Sequence, residues 1–280
     1  MVRPLVLSLA LSFACARHQR PGVFLEELSW VQAEPLLTPD AVVIIPIGAA
    51  SKEHGPHLKL SNDAKLARYL ADRLAERVPA VFAPAVPYHY YPAFLDYPGS
   101  TSLQLSTARD LLIDICKSLA HHGPRRFYAL NTGVSTVRAL KPAAEELAKE
   151  GILLRYTDLL ATLGPITKGI EEQPRGTHAD EIETSMLLVI DPASVDMSKA
   201  VRQVEQGTKG PLTRTRADAG TYSPSGVYGD ATLATREKGQ RVLDALVEAL
   251  VRDVESMRAA GLQARQGPRL RHHGCPESVR

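Results

Sequence analysis

Hydrophobic and polar positions along the chain switch between two periods. Ala41–Gly48 is an apolar run that ends in small residues and predicts a buried strand. Leu66, Leu70 and Leu74 then recur at helical spacing, which predicts a helix over Asp63–Arg77. Pro79–Tyr88 reads as a strand, and Ser106 as the cap of a helix running to about His121. Arg126–Asn131 is a predicted strand, Val137–Lys149 a helix closed by Gly151, and Ile152–Thr157 a further strand. Glu181–Ile190 and Lys238 to about Arg258 are predicted helices, the second long and amphipathic. Strands alternating with helices predict an α/β fold, a parallel sheet with helices on both faces. No linker divides two cores, so one domain is expected over roughly 22–262. Residues 266–280, rich in Arg, His and Pro, read as a disordered tail.

Composition narrows the function. With 280 residues, 44% hydrophobic, the chain has ample material for a core. A net charge of +2 with interspersed signs, and no basic block interleaved with aromatics, excludes nucleic acid as an expected partner. Residues 1–16 read as a signal peptide. Arg3 precedes an apolar Leu5–Ala14 stretch too short to span a bilayer, and Ala14-Cys15-Ala16 suits cleavage. The expected location is periplasmic or secreted; a lipid anchor on Cys15 is the alternative. Cys116 lies in a helix-like apolar run and reads as a buried small hydrophobe, and Cys275 lies in the tail.

The chemistry concentrates just after the first strand. Glu53, His54, His57 and Asp63 bracket Gly55-Pro56 there, and ligand-type side chains beyond the carboxyl end of a strand are where open α/β sheets place their sites. Each has a plainer role open to it. Asp63 would suit a helix cap, Glu181 the dipole of its own first turn, and a loop histidine ordinary hydrogen bonds. His121-His122 suits a helix C-terminus and His272-His273 the tail, so neither pair is expected to function. Ser135 with His178 lacks the Gly-x-Ser-x-Gly elbow of a serine hydrolase.

Four segments together resemble the creatininase (creatinine amidohydrolase) family. They are Gly48…His54-Gly55-Pro56-His57-Leu58…Asp63, Tyr97-Pro98-Gly99-Ser100-Thr101-Ser102-Leu103, His178-Ala179-Asp180-Glu181-Ile182-Glu183-Thr184-Ser185, and Gly226 to Gly239 with its Gly229-Asp230 and Ala234-Thr235-Arg236-Glu237-Lys238. They occur in family order. The resemblance implies a three-layer α/β/α domain, a homo-oligomer that is often a hexamer, and hydrolysis of an amide or cyclic-amide C–N bond in a small-molecule substrate. It also implies two divalent metals joined by the aspartate that ends the first motif.

The departures from the family pattern shape the expected site. Lys52 stands where the family has a ligand Glu, and Gly133, in Asn131-Thr132-Gly133-Val134-Ser135-Thr136, where it has a ligand His. Ala93-Phe94 replaces a Glu-His pair, and an extra residue before His54 re-aims Glu53 inward. By the resemblance, one metal position keeps His54, Asp63 and Glu181. Three protein ligands with an open position suit a catalytic zinc, and manganese or iron suits nearly as well. A metal-bound hydroxide would attack the carbonyl, His178 would protonate the leaving nitrogen, and Glu53 is the further candidate base. Lys52 would supply an ammonium at the depleted position. His57 is expected behind the ligands, with Asn131 and Ser135 in the pocket wall. The alternative is a non-catalytic family member that kept the pocket and lost the metals.

Overall fold

Val42–Ile47 (β2) has the sequence VVIIPI, and every one of its positions is buried. β-Branched side chains on both faces suit a central strand covered by helices on each side. The computed structural model describes residues 20–204, 210–216 and 220–260. The signal-peptide and tail readings, with Cys15 and Cys275, lie outside the described residues.

In chain order the main elements are β1 (Val23–Phe24), α1 (Trp30–Ala33), β2, α2 (Asn62–Ala75), β3 (Val81–Phe82), α3 (Leu105–Ala120), β4 (Arg126–Asn131), α4 (Val137–Ala148), β5 (Leu153–Tyr156), α5 (Leu159–Thr167), α6 (Glu181–Ile190) and α7 (Arg236–Ala259). The five strands form one sheet in the order β1-β3-β2-β4-β5, with every pair parallel. Two-residue strands at 202–203 and 229–230 pair separately, as do 212–213 and 221–222.

Alternation along the strands builds two cores. Val42 and Ile44 join Leu66, Leu70 and Leu74 of α2, Met186 of α6, and Leu243, Leu246 and Leu250 of α7 on one face. Val43, Ile45 and Ile47 join Leu112 and Cys116 of α3 and Leu140 and Leu147 of α4 on the other. This is a three-layer α/β/α fold with a parallel sheet. Each fully buried Leu, Ile or Val contributes about 1.5–3 kcal/mol, so the two layers fix the sheet from both sides. Cys116 is a free, buried thiol, and burial pushes its pKa up to about 12.

The structure revises several expected boundaries. The strand expected over Pro79–Tyr88 shrinks to Val81–Phe82 plus one bridge from Val86 to Ile47, because Pro84 and Pro87 have no N–H to give to a ladder. Ser106 does not cap α3; Gln104 is the N-cap, and Ser106 lies within the first turn. Asp63 does not cap α2 either. It is the second helical residue, and Ser61 holds the cap position. Gly151 adopts a φ of 72° just beyond α4 and turns the chain into β5. β1, α1 and α5 are too short or too uniformly apolar for periodicity to reveal. Among the described residues no helix is long and apolar enough to cross a membrane.

His57 and His89 are two of the buried histidines of this fold. Burial lowers the imidazoles of His89 and His57 to about 4 each, from an ordinary 6.5. A folded pKa below the unfolded one means that the neutral form stabilises the fold. That contribution is present above pH 6.5 and is lost as pH falls from 6.5 toward 4. The denaturant midpoint should therefore drop between pH 7 and pH 4.5. The His89 share is roughly 2 kcal/mol, and His89→Gln should show a visibly smaller drop. An equal drop in that variant would contradict the assignment.

Candidate active site

Ile47 ends β2 beside Asn131, which ends β4, and the candidate site lies in the loops just beyond these two carboxyl ends. The start of α2 is brought against the same point. A Cβ on Gly48 would strike the Asp63 carbonyl, so glycine there permits the close approach. Thr132 Oγ1 then ties the ends together by reaching both Ile47 O and Asp63 O at 3.1 Å. α6 contributes its first turn, capped by Asp180, whose Oδ1 accepts from Ile182 N and Glu183 N at 3.0 Å each.

Asp63 is the centre of the charge arrangement. Its Oδ2 lies 2.7 Å from Lys52 Nζ and its Oδ1 2.8 Å from His54 Nε2, with all three side chains buried. Burial alone would push the Asp63 carboxyl up. The Lys52 ammonium and the His54 imidazole outweigh it and hold that carboxyl well below the usual carboxylate range. His54 Nδ1 lies 2.9 Å from the Lys52 carbonyl and must donate to it. In the neutral imidazole, Nε2 therefore presents a lone pair to a carboxylate oxygen. Two acceptors at that distance require a cation between them, a proton or a metal ion.

His178 repeats the pattern. Its Nε2 lies 3.0 Å from both the carbonyl and Oε2 of Glu53, so this nitrogen carries the proton. Its Nδ1 is left as a lone pair 3.7 Å from Glu183 Oε2. Glu183 is aimed by the Ala179 N–H, 2.5 Å from Oε2, and Ala179 has an unusual φ of 48°. One ligand atom each from His54, His178 and Glu183 lies within 4.8 Å of the others. An imidazole lone pair converging with carboxylates, its ring held from behind by a carbonyl, is what a divalent metal needs. His54 and Glu183, with Asp63 Oδ1 2.8 Å from His54 Nε2, are a donor set that fits one such ion, and His178 Nδ1 lies beside it.

A cavity of about 440 Å³ opens onto this group, lined in part by Lys52, Phe94, Thr132, Ser135, His178, Glu183 and Tyr228. The Phe94 ring is tilted 39° to the His178 ring with centroids 4.3 Å apart, and its centre lies 4.6 Å from Lys52 Nζ. Glu53 is turned inward: it accepts from Gly55 N and packs against Gly226. His57 is buried beside the group, with Nε2 2.8 Å from Thr184 Oγ1 on α6. Ser135 lines the cavity and donates to Tyr90 O at 2.8 Å.

Two expected residues are elsewhere. Glu181 is fully buried but does not reach His54 or Asp63. Its carboxylate accepts from Glu172 N at 2.9 Å, Gln173 N at 2.8 Å and Lys238 Nζ at 2.6 Å. Helical residues two apart point to nearly opposite sides, so the site receives Glu183 and the α7 lysine receives Glu181. Asn131 is not in the cavity wall. Its side chain folds the loop after β4, donating to Gly133 O at 2.7 Å and accepting from Thr136 Oγ1 at 2.6 Å. Sequence reading missed Glu183 although it stands in the same motif. Asp180 was the available signal, because a cap at that position fixes the outward angle of each first-turn residue.

Fold and site together define an α/β enzyme whose centre is an imidazole–carboxylate group at adjacent strand ends. The chain belongs to the creatininase family, whose pattern (Creatininase; creatinine amidohydrolase) matches residues 26–254, and it is a creatininase-family amidohydrolase. It is 29% identical over 248 residues to the creatinine amidohydrolase of Pseudomonas putida, covering 82% of this chain and 95% of that one. It is 28% identical over 252 residues to the mycofactocin precursor peptide peptidase of Mycobacterium tuberculosis, covering 85% and 93%. The solved structure named Creatininase Mn superposes with a TM-score of 0.71 at 25% identity, covering 85% of this chain and 100% of that one.

The packing of Glu53 against Gly226 gives a direct check. Gly226 has a φ of 80°, and a Cβ there would collide with the Glu53 carboxylate. Gly226→Ala should lower stability by about 1–3 kcal/mol, from backbone strain and displacement of Glu53, and should reduce turnover. Calorimetry and a hydrolysis assay on one preparation test this. A variant as stable and as active as the wild type would contradict the placement of Glu53.

Proposed function

We propose that this chain hydrolyses an amide or cyclic-amide C–N bond of a small molecule in the cavity beside His54, using one bound divalent metal ion. The observation that carries the reading is the group of His54, His178 and Glu183, whose ligand-type atoms lie within 4.8 Å of one another, with Asp63 Oδ1 2.8 Å from His54 Nε2. His54, Asp63 and Glu183 would hold the ion, with Glu183 taking the place expected of Glu181. Zinc, manganese and iron all suit one imidazole and two carboxylates. When bound, such an ion supplies Lewis-acid charge and lowers the pKa of water.

The chain's own groups supply the rest. Glu53 holds the Nε2 proton of His178, which leaves Nδ1 free to accept a proton from the attacking water and return it to the leaving nitrogen. The carboxylate behind the ring stabilises the imidazolium formed in between. Phe94 covers one face of His178 and keeps water from it. Lys52, at the cavity wall, places a fixed positive charge where the carbonyl oxygen becomes negative. A non-catalytic, ligand-binding member is the competing reading. It draws on the same ion pairs, which satisfy Asp63 and Glu53 within the chain.

Metal content separates these readings. His54→Ala, Asp63→Ala and Glu183→Gln should each lose the ion after metal-replete expression, while Glu181→Gln should retain it. His178→Asn should keep the ion and lose turnover by about 10²–10⁴-fold. Mass spectrometry of the purified proteins measures the first set and an amidase assay the second. A metal-free wild type would favour the non-catalytic reading. A Glu181→Gln variant without metal would return the ligand role to Glu181.

We also propose export. The support is the short Leu5–Ala14 apolar stretch and the small residues around Cys15. N-terminal sequencing of material from the native host should find a start near Arg17 in a periplasmic or secreted fraction. An intact Met1 in the cytoplasm would contradict this.

A further inference from the structure

The surroundings of Lys52 carry a conclusion about how many ions the site takes. Its side chain is only 5% exposed, and its ammonium sits 2.7 Å from Asp63 Oδ2. A charge so buried is tolerated only when paired and packed. Besides Asp63, the Nζ lies 4.6 Å from the centre of the Phe94 ring and 5.7 Å from that of Tyr91, within cation–π range of both. Asp63 therefore has Oδ2 taken by a covalently attached ammonium, which leaves Oδ1, beside His54, for a metal ion.

The neighbouring space is also filled. A Cβ on Gly133 would lie 2.9 Å from Tyr91 Cε1 and 3.1 Å from Thr136 Cγ2. Tyr91 is 1% exposed, and the Gly133 backbone is bound into its own loop by Asn131 and Thr136. The volume that an imidazole at position 133 would need is thus taken by the Tyr91 ring. Charge points the same way. The group holds three carboxylates, Glu53 and Glu183 on His178 and Asp63 on Lys52, and one ammonium, which leaves a formal deficit of two positive charges with neutral imidazoles. One divalent ion closes that deficit; two would overshoot it.

We infer that Lys52 permanently occupies the second cation position on Asp63, so that each chain takes one divalent ion and completes a two-cation centre with its own ammonium. This rests on the metal reading under Proposed function. Tyr91 is the wall that holds the arrangement, and it excludes a ligand from position 133.

Manganese titration of chelator-stripped protein tests this, with free Mn²⁺ followed by electron paramagnetic resonance and the bound ion by its low-temperature spectrum. The wild type should bind one Mn²⁺ per chain with the uncoupled signal of an isolated ion. Lys52→Met, which removes a like charge from beside the ion, should bind it about tenfold more tightly or better. Lys52→Glu should admit a second Mn²⁺. The variants count only if circular dichroism shows a native fold; otherwise the wild-type count and spectrum decide. Two spin-coupled ions per wild-type chain would overturn the inference and leave the metallohydrolase reading standing. One ion in the wild type, with unchanged affinity and count in both folded variants, would also overturn it. No bound ion at all would instead overturn the metal reading beneath it.

Discussion

A single carboxylate organises this molecule. Asp63 is buried, carries a negative charge inside the first turn of α2, and is paired with the Lys52 ammonium on one oxygen and the His54 ring on the other. Such a charge is unfavourable in a protein interior unless paired, so Lys52 and His54 are held wherever Asp63 is. The consequence spreads outward. Lys52 fixes the Phe94 ring, Phe94 covers His178, and His178 is locked to Glu53. Glu53 in turn requires the open space at Gly226.

The scaffold delivers these groups to one place by simple geometry. β2 and β4 run parallel and in register to Ile47 and Asn131, so the loops after both strands leave side by side. Two helical layers, one led by α7 and the other by α3 and α4, bury the strands and prevent them from sliding. α6 then adds Glu183 from a first turn whose angle is fixed by the Asp180 cap. Helices position Asp63 and Glu183, while the loop after β2 carries Lys52, Glu53 and His54.

Much of this was legible in the residues. Apolar spacing gave α2, α4, α6 and α7 nearly to their ends, because each has one strongly apolar face. β2 stood out because it is apolar throughout. β3 was overextended, since its prolines look extended locally yet cannot donate to a ladder. In the site, His54, Asp63, Lys52 and Glu53 lie together as expected, because a short rigid loop carries them. Glu181 turns to Lys238 and Glu183 to the site, because a motif gives order along the chain but not the direction each side chain takes around a helix. Asn131 was assigned to the wall, although its amide closes its own loop. Tyr91 had no sequence signal as a site residue, since its role depends on a glycine more than forty positions away.

The central claim is that Asp63 joins one metal ion to one ammonium. Crystals grown with Mn²⁺ and measured at the manganese edge would show this most directly. The account predicts one anomalous peak per chain, between His54 Nε2 and Asp63 Oδ1 and beside Glu183, with Lys52 Nζ still on Oδ2. Two peaks about 4 Å apart astride Asp63, with Lys52 turned away, would contradict it.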